Sequence, residues 1–328
     1  MVTATVEAPA EPQPKRTPTR RTLLLDGGLA VGLFIVALLY RRHFPPDGLF
    51  YDDAWEAFGA AEGSLRQLIT IGQTQPGLGL ELMAWSRIFG HSATTMIVPT
   101  MIAGALGPPV LYLVLRKFGY AVSIAFLLGA ALTVCETAIT YSGRVKSYTT
   151  DVLVILMLCL LLPWLAKRRW TVLIAAAWFV GSVAVASYSS FALLATVAAA
   201  AVLLLHPHED RKLRLVSVGA QGVALLGIFK AEDATHDAEQ LADFFKPSKA
   251  YIEFHLNPVT FGREIIEHLV RVTDIFPGGP GWVSVLCMIA ATVGLLVMAR
   301  RGSKAVVGRF LVLLVLLAIV GAVAERVP

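Results

Sequence analysis

Apolar residues fall in long blocks at 23–40, 93–115, 121–140, 149–166, 170–187, 189–205, 214–229, 282–299 and 309–325. Blocks of about 20 residues match the thickness of membrane hydrocarbon. The pattern therefore predicts an all-α, polytopic transmembrane bundle of about nine spans. The stretch from Trp170 to Leu205 would run about 54 Å as one helix, against a core of roughly 30 Å. It predicts a hairpin instead, bent at Ser187-Tyr188-Ser189-Ser190, the polar cluster within it.

Two long segments, 41–91 and 230–281, interrupt the blocks. The first contains Ala54 to Gly63 and Gly79 to Phe89, and the second Ala238 to Phe245 and Arg263 to Val272, all read as short helices. Gly- and Pro-containing runs separate or close them, and helices of this kind lie in the membrane interface. Residues 1–22, rich in Pro, Thr and Ala, read as a disordered cytoplasmic tail, and 23–328 as one transmembrane domain. After the first block comes Tyr40-Arg41-Arg42-His43-Phe44-Pro45-Pro46 rather than a small-residue cleavage site, so the first span is expected to stay.

Composition sharpens this picture. With 56% hydrophobic and 16% charged residues and a mean hydropathy of +0.68, a soluble enzyme, a coiled coil and a disordered protein are excluded as whole-chain readings. The net charge of +5 is no nucleic-acid signal, because the 28 Lys and Arg lie in short clusters between apolar blocks. Sixteen of them fall in the tail and in alternate short loops, which marks that side as cytoplasmic. The two long loops then lie outside. Cys135, Cys159 and Cys287 fall inside or at the edge of apolar blocks and read as small core residues.

Candidate chemistry gathers at two places on the expected outer face. Tyr51-Asp52-Asp53-Ala54-Trp55-Glu56 carries adjacent carboxylates, which are costly beside a membrane unless used. One of them can serve as a general base, its proton affinity raised by its neighbour. Asp53 with Glu56 three residues on also fits a helix N-cap and its capping-box partner, a reading that leaves Asp52 unexplained. The second place is Arg144-Val145-Lys146-Ser147-Tyr148-Thr149-Thr150-Asp151. Arg144 and Lys146 suit a lipid phosphate, or snorkel to headgroups. Asp151 caps a helix, pairs with one of these cations, or faces the cavity of Asp52. Asp26, beside Gly27 and Gly28, reads as the frayed start of the first helix. The histidines are scattered without metal-ligand spacing, and no metal site is expected.

An acidic pair after the first span, Gln75-Pro76-Gly77 leading into Leu80 to Gly90, and Arg-x-Lys-x-Tyr-x-x-Asp before the fourth span together resemble the C-type superfamily of membrane glycosyltransferases. The chain is most similar to its bacterial protein mannosyltransferase and aminoarabinose transferase group. The resemblance implies a bacterial plasma-membrane enzyme that takes a sugar from a polyprenyl-phosphate donor and gives it to an acceptor hydroxyl on a glycan, glycolipid or protein, with inversion. It places the catalytic base at Asp52, with Asp53 beside it, and substrate contacts at Gln75, Arg144, Lys146, Tyr148 and Asp151. Phe244-Phe245-Lys246 would cover the cavity. No cofactor is implied, the lipid-linked sugar being a substrate. Members of this group continue past the last span seen here, so a C-terminally shortened copy is expected. The rival readings are a transporter or lipid flippase, which needs ionisable residues near the midplane, and a catalytically silent scaffold that binds polyprenyl phosphate.

Overall fold

The computed structural model describes residues 20–43, 49, 51–64, 76–206, 211–235, 252, 255–272, 281–300 and 304–323. Among them the chain is all-helical: α1 Arg20–His43, α2 Tyr51–Glu62, α3 Pro76–Phe89, α4 Ala93–Lys117, α5 Val122–Val134, α6 Glu136–Ser142, α7 Tyr148–Lys167, α8 Val172–Ala186, α9 Ser190–Leu205, α10 Arg211–Thr235, α11 Pro258–Val272, α12 Gly281–Arg300 and α13 Ala305–Val323. Helix α4 packs against α1, α5, α7 and α3, while α9 packs against α7, α8, α10 and α13. The largest apolar core, built around Leu162, Trp170, Ala198, Leu203 and Phe310, joins α7, α9 and α13.

Four of the described helices are long and apolar enough to cross a membrane: Arg21–His43, Ala93–Lys117, Tyr148–Lys167 and Ala305–Val323. Helices cover the other expected blocks as well, but α8 and α9 are shorter apolar helices. The expected single span at 121–140 is in fact two helices, α5 and α6, bent by 55° at Cys135. A break of this kind frees backbone carbonyls that need other donors. The predicted hairpin is present, with α8 ending at Ala186 and Ser189 capping α9 through Ala192 N, 2.8 Å away.

Large apolar side chains face outward along α1 (Leu24, Val31, Leu39), α10 (Val216, Val223) and α12 (Leu286, Val293), while Arg41, Asp53, Glu56, Asp151, Arg214 and Gln221 are buried. This inverts the distribution of a water-soluble domain. It fits a membrane helical protein, in which polar groups find partners inside the bundle.

Buried polar side chains serve backbone that the helices cannot satisfy. Pro99 has no N–H for the Thr95 carbonyl one turn back, and the Trp85 indole donates to that oxygen at 3.0 Å. Arg214, counted in the sequence among topology-setting charges, is buried instead. It donates to the carbonyls of Leu165, Ala166, Arg168 and Leu203, where α7 and α9 end, and lies over the Trp170 ring. Gln221 accepts from Trp178 Nε1 at 2.9 Å and so ties α10 to α8.

Several sequence expectations need correction. Helix α1 runs unbroken from Arg20, so Asp26 is not a frayed start. It accepts from Arg116 Nε at 2.9 Å and from the Tyr112 hydroxyl, joining α1 to α4. The helix takes in Arg20 to Thr22, which the sequence reading placed in the tail, and residues 1–19 lie outside the described residues. In the loops, α2, α3 and α11 each start earlier than expected, at Tyr51, Pro76 and Pro258. The helix expected at Ala238 to Phe245, and Phe244-Phe245-Lys246 with it, lies outside the described residues.

Candidate functional site

Helix α2 presents Asp53, Glu56, Ala57 and Ala60 on one face, as spacings of three and four require. Ala57 and Ala60 join Leu78 and Leu82 of α3 and Met96 and Ile97 of α4 in a small apolar cluster that Val145 completes. Val145 is fully buried, so it drives the α6–α7 connection into this cluster like a plug. Its neighbours Arg144 and Lys146 reach the acids of α2. Arg144 Nε donates to Asp53 Oδ2 at 2.5 Å, and Lys146 pairs with Glu56. Asp53 is fully buried, and its other carboxylate oxygen, Oδ1, has no hydrogen-bond partner among the described residues.

The capping-box reading of Asp53 and Glu56 is therefore corrected. Helix α2 begins two residues before Asp53, and both acids face cations from a connection about ninety residues away rather than the helix's own N-terminus. Headgroup snorkelling is corrected as well, because both cations point into the protein and are largely buried.

Asp151 is buried in the first turn of α7, accepting from Ser147 Oγ at 3.2 Å and from the Ser189 hydroxyl. Its described hydrogen bonds go to these serines and not to Arg144 or Lys146, so the pairing once open for it is not the one found. Ser189 caps α9, and through it Asp151 holds the α8–α9 turn. The same turn meets α3 from the other side. Gly77 N donates to Ser187 O at 2.8 Å, and a Cβ at Gly77 would stand 2.4 Å from Ser187 Oγ, so only glycine permits this approach. Glu81 of α3 and Tyr188 act on one another electrostatically, with burial pushing the Glu81 carboxyl above its ordinary value and the Tyr188 hydroxyl likewise upward.

Of the residues singled out from the sequence, Asp53, Arg144 and Lys146 meet in one cluster, with Asp151 beside it through Ser147. Tyr148 begins α7, half exposed, its ring edge-on to Tyr141 at 4.8 Å. Asp52 lies in the first turn of α2, but its side chain is outside the described residues, as is Gln75 altogether. Glu56, Glu81, Tyr188 and Ser189 are the residues that sequence reasoning passed over as site members. A signal for Glu56 was present: Asp-x-x-Glu and Arg-x-Lys are complementary in charge. Among the described residues no group of three or more His, Cys, Asp or Glu side chains is arranged to hold a metal. In comparison with known proteins, the chain matches no family model, no curated protein and no solved structure.

Proposed function

We propose that the chain is a membrane glycosyltransferase of about nine spans, N-terminus in the cytoplasm, moving a sugar from a polyprenyl-phosphate donor to an acceptor hydroxyl at the outer face. The observation that supports this reading is the meeting of α2 with Arg144 and Lys146 through two largely buried ion pairs. It joins the acids suited to base catalysis to the cations suited to a phosphate. In the reaction Asp52 takes the acceptor's hydroxyl proton as that oxygen bonds to the anomeric carbon. The bond from this carbon to the phosphate oxygen breaks, and its electron pair leaves with the lipid phosphate. Arg144 and Lys146, held charged and oriented by Asp53 and Glu56, share their donors with that phosphate as its charge grows.

One observation favours a second reading. Each cation already has a carboxylate, as suits a latch between α2 and the bundle in a scaffold that binds polyprenyl phosphate without turning it over. The test is release of polyprenyl phosphate from a polyprenyl-phosphate sugar by the purified protein in lipid. Transfer that falls about 10²–10⁴-fold in Asp52→Asn supports the enzyme. Equal activity of the variant and wild type removes the base assignment, and binding of donor without release by wild type selects the scaffold.

A further inference from the structure

Two arginines are buried in this bundle, Arg214 at 1% exposure and Arg41 at 3%. A guanidinium removed from solvent is costly unless its charge is met. Arg214 offsets much of that cost with four carbonyls at the ends of two helices and the face of Trp170, its Nε alone lacking a hydrogen-bond partner among the described residues. Arg41 does not reach the same compensation. Its Nε donates to Ser142 Oγ at 2.9 Å, and Nη1 to Ala37 O at 3.2 Å and, weakly, to Thr133 O at 3.5 Å. Nη2 makes no hydrogen bond among the described residues. No described carboxylate lies within ion-pair distance of it either. The partial negative charge at the end of α1 offsets only part of a full positive one.

The surroundings hold this side chain in place. Gly104 of α4 lies so close that a Cβ there would stand 2.1 Å from Ser142 Oγ and 3.1 Å from Arg41 Nε. Thr100 donates to the Ser142 carbonyl at 3.4 Å, fixing the end of α6. Thr133 is the second-last residue of α5, at the break where backbone carbonyls lose their helical donors. Ser142 stands two residues before Arg144, so Arg41 adjoins the ion-paired cluster without sharing its acids.

We propose that Arg41 is the primary cation of a phosphoryl-binding site between the end of α1, α4 and the α5–α6 break, Nη2 supplying the donors. Phosphate matches the planar fork of a guanidinium and supplies the charge the protein withholds. At this position the phosphoryl group belongs to a lipid. Its identity as a polyprenyl phosphate rests on the function proposed above, while an anionic phospholipid headgroup has the same chemistry.

The test is the shift in thermal unfolding of the full chain in a neutral detergent on adding a polyprenyl phosphate, the uncharged polyprenol, or phosphatidylglycerol. Wild type is expected to be stabilised by a phosphorylated lipid and not by polyprenol. Arg41→Gln should lose about ten- to hundredfold in affinity, as for one charge-assisted hydrogen bond, while Arg41→Lys keeps most of it. A stronger response to polyprenyl phosphate marks the substrate, and a stronger one to phosphatidylglycerol marks a structural lipid. Equal stabilisation of wild type by polyprenol overturns the site, as does undiminished affinity in Arg41→Gln. Should Arg41→Gln fail to fold, Arg41→Met, which keeps an unbranched side chain without the charge, takes its place, with the same loss expected and undiminished affinity again overturning the site. Arg41-dependent binding without sugar transfer would sink the glycosyltransferase reading and leave this site standing.

Discussion

Asp53 of α2 and Arg144 of the α6–α7 connection, 91 residues apart, form an ion pair in which the carboxylate is fully buried. Burying either charge alone would be prohibitive, so each residue's position depends on the other. Helix α2 is held against the bundle through this pair, its Lys146–Glu56 companion and the Val145 plug.

Removing one partner should therefore cost more than removing both. Asp53→Asn and Arg144→Gln are each expected to destabilise by about 3 kcal/mol, because each strands a buried charge. The double variant should be less destabilised than the sum of the two. Thermal unfolding of the four proteins measures the coupling, and simple additivity would show the pair to be incidental.

Glycine at position 77 is a second structural requirement. Gly77→Ala places a methyl 2.4 Å from Ser187 Oγ and 2.9 Å from its backbone carbonyl. Overpacking against backbone should cost roughly 1–3 kcal/mol. Ser187→Ala should not restore the loss, since the carbonyl remains. Full rescue by that second change would place the clash in the side chain alone.

Acid and base should act on the α3 contact in a defined direction. The folded protein raises the Glu81 carboxyl above its ordinary 4.5, with burial as the main cause. The fold thus binds this proton more tightly than the unfolded chain does. The associated stability is fully present below 4.5 and is lost as pH rises through the raised folded value. Glu81→Gln keeps the shape of the side chain and carries no charge. It should unfold at a higher temperature than wild type at neutral pH, and the difference should vanish in acid. A pH-independent difference would locate the effect in packing.

Topology is open to direct labelling. Leu256, 94% exposed, sits in the second long loop, and Arg211 begins α10 on the side marked by basic loops. In a background without native cysteines, Leu256→Cys should react with an impermeant thiol reagent on intact cells and Arg211→Cys should not. Reversed labelling would put the proposed acceptor and donor in the wrong compartment.

The polar core between α8, α9 and α10 should be worth less than its burial suggests. Gln221→Leu leaves the Trp178 N–H without its acceptor. Hydrogen bonds between helices in membranes average about 0.6 kcal/mol and reach about 1.7. A loss within that range by equilibrium unfolding is expected, and a loss several times larger would mean that the Gln221 amide, which also donates to Thr196 O at 3.4 Å, holds α9 in place as well.

Helix content and the α8–α9 hairpin were legible in the amino-acid sequence because each is a local property. Apolar block length sets helix length, and a polar cluster such as Ser187-Tyr188-Ser189 sets a turn. The acids of 52–56 and the cations of 144–146 could also be picked out, since charge beside apolar blocks is conspicuous. What they do to one another could not. Whether Asp53 caps its own helix or neutralises Arg144 depends on which surfaces meet, and that is decided by the packing of Val145, Leu82 and Met96 between helices far apart in the chain. The same holds for Arg214, indistinguishable in sequence from a topology-setting cation, and for Arg41, whose burial follows only from the approach of Gly104 and the break at Cys135. Local pattern specifies the elements because backbone hydrogen bonding in lipid is satisfied within each helix. The partners of buried charges are specified only when the helices assemble, because a charge's energy depends on every group within a few ångströms, whatever its distance along the chain.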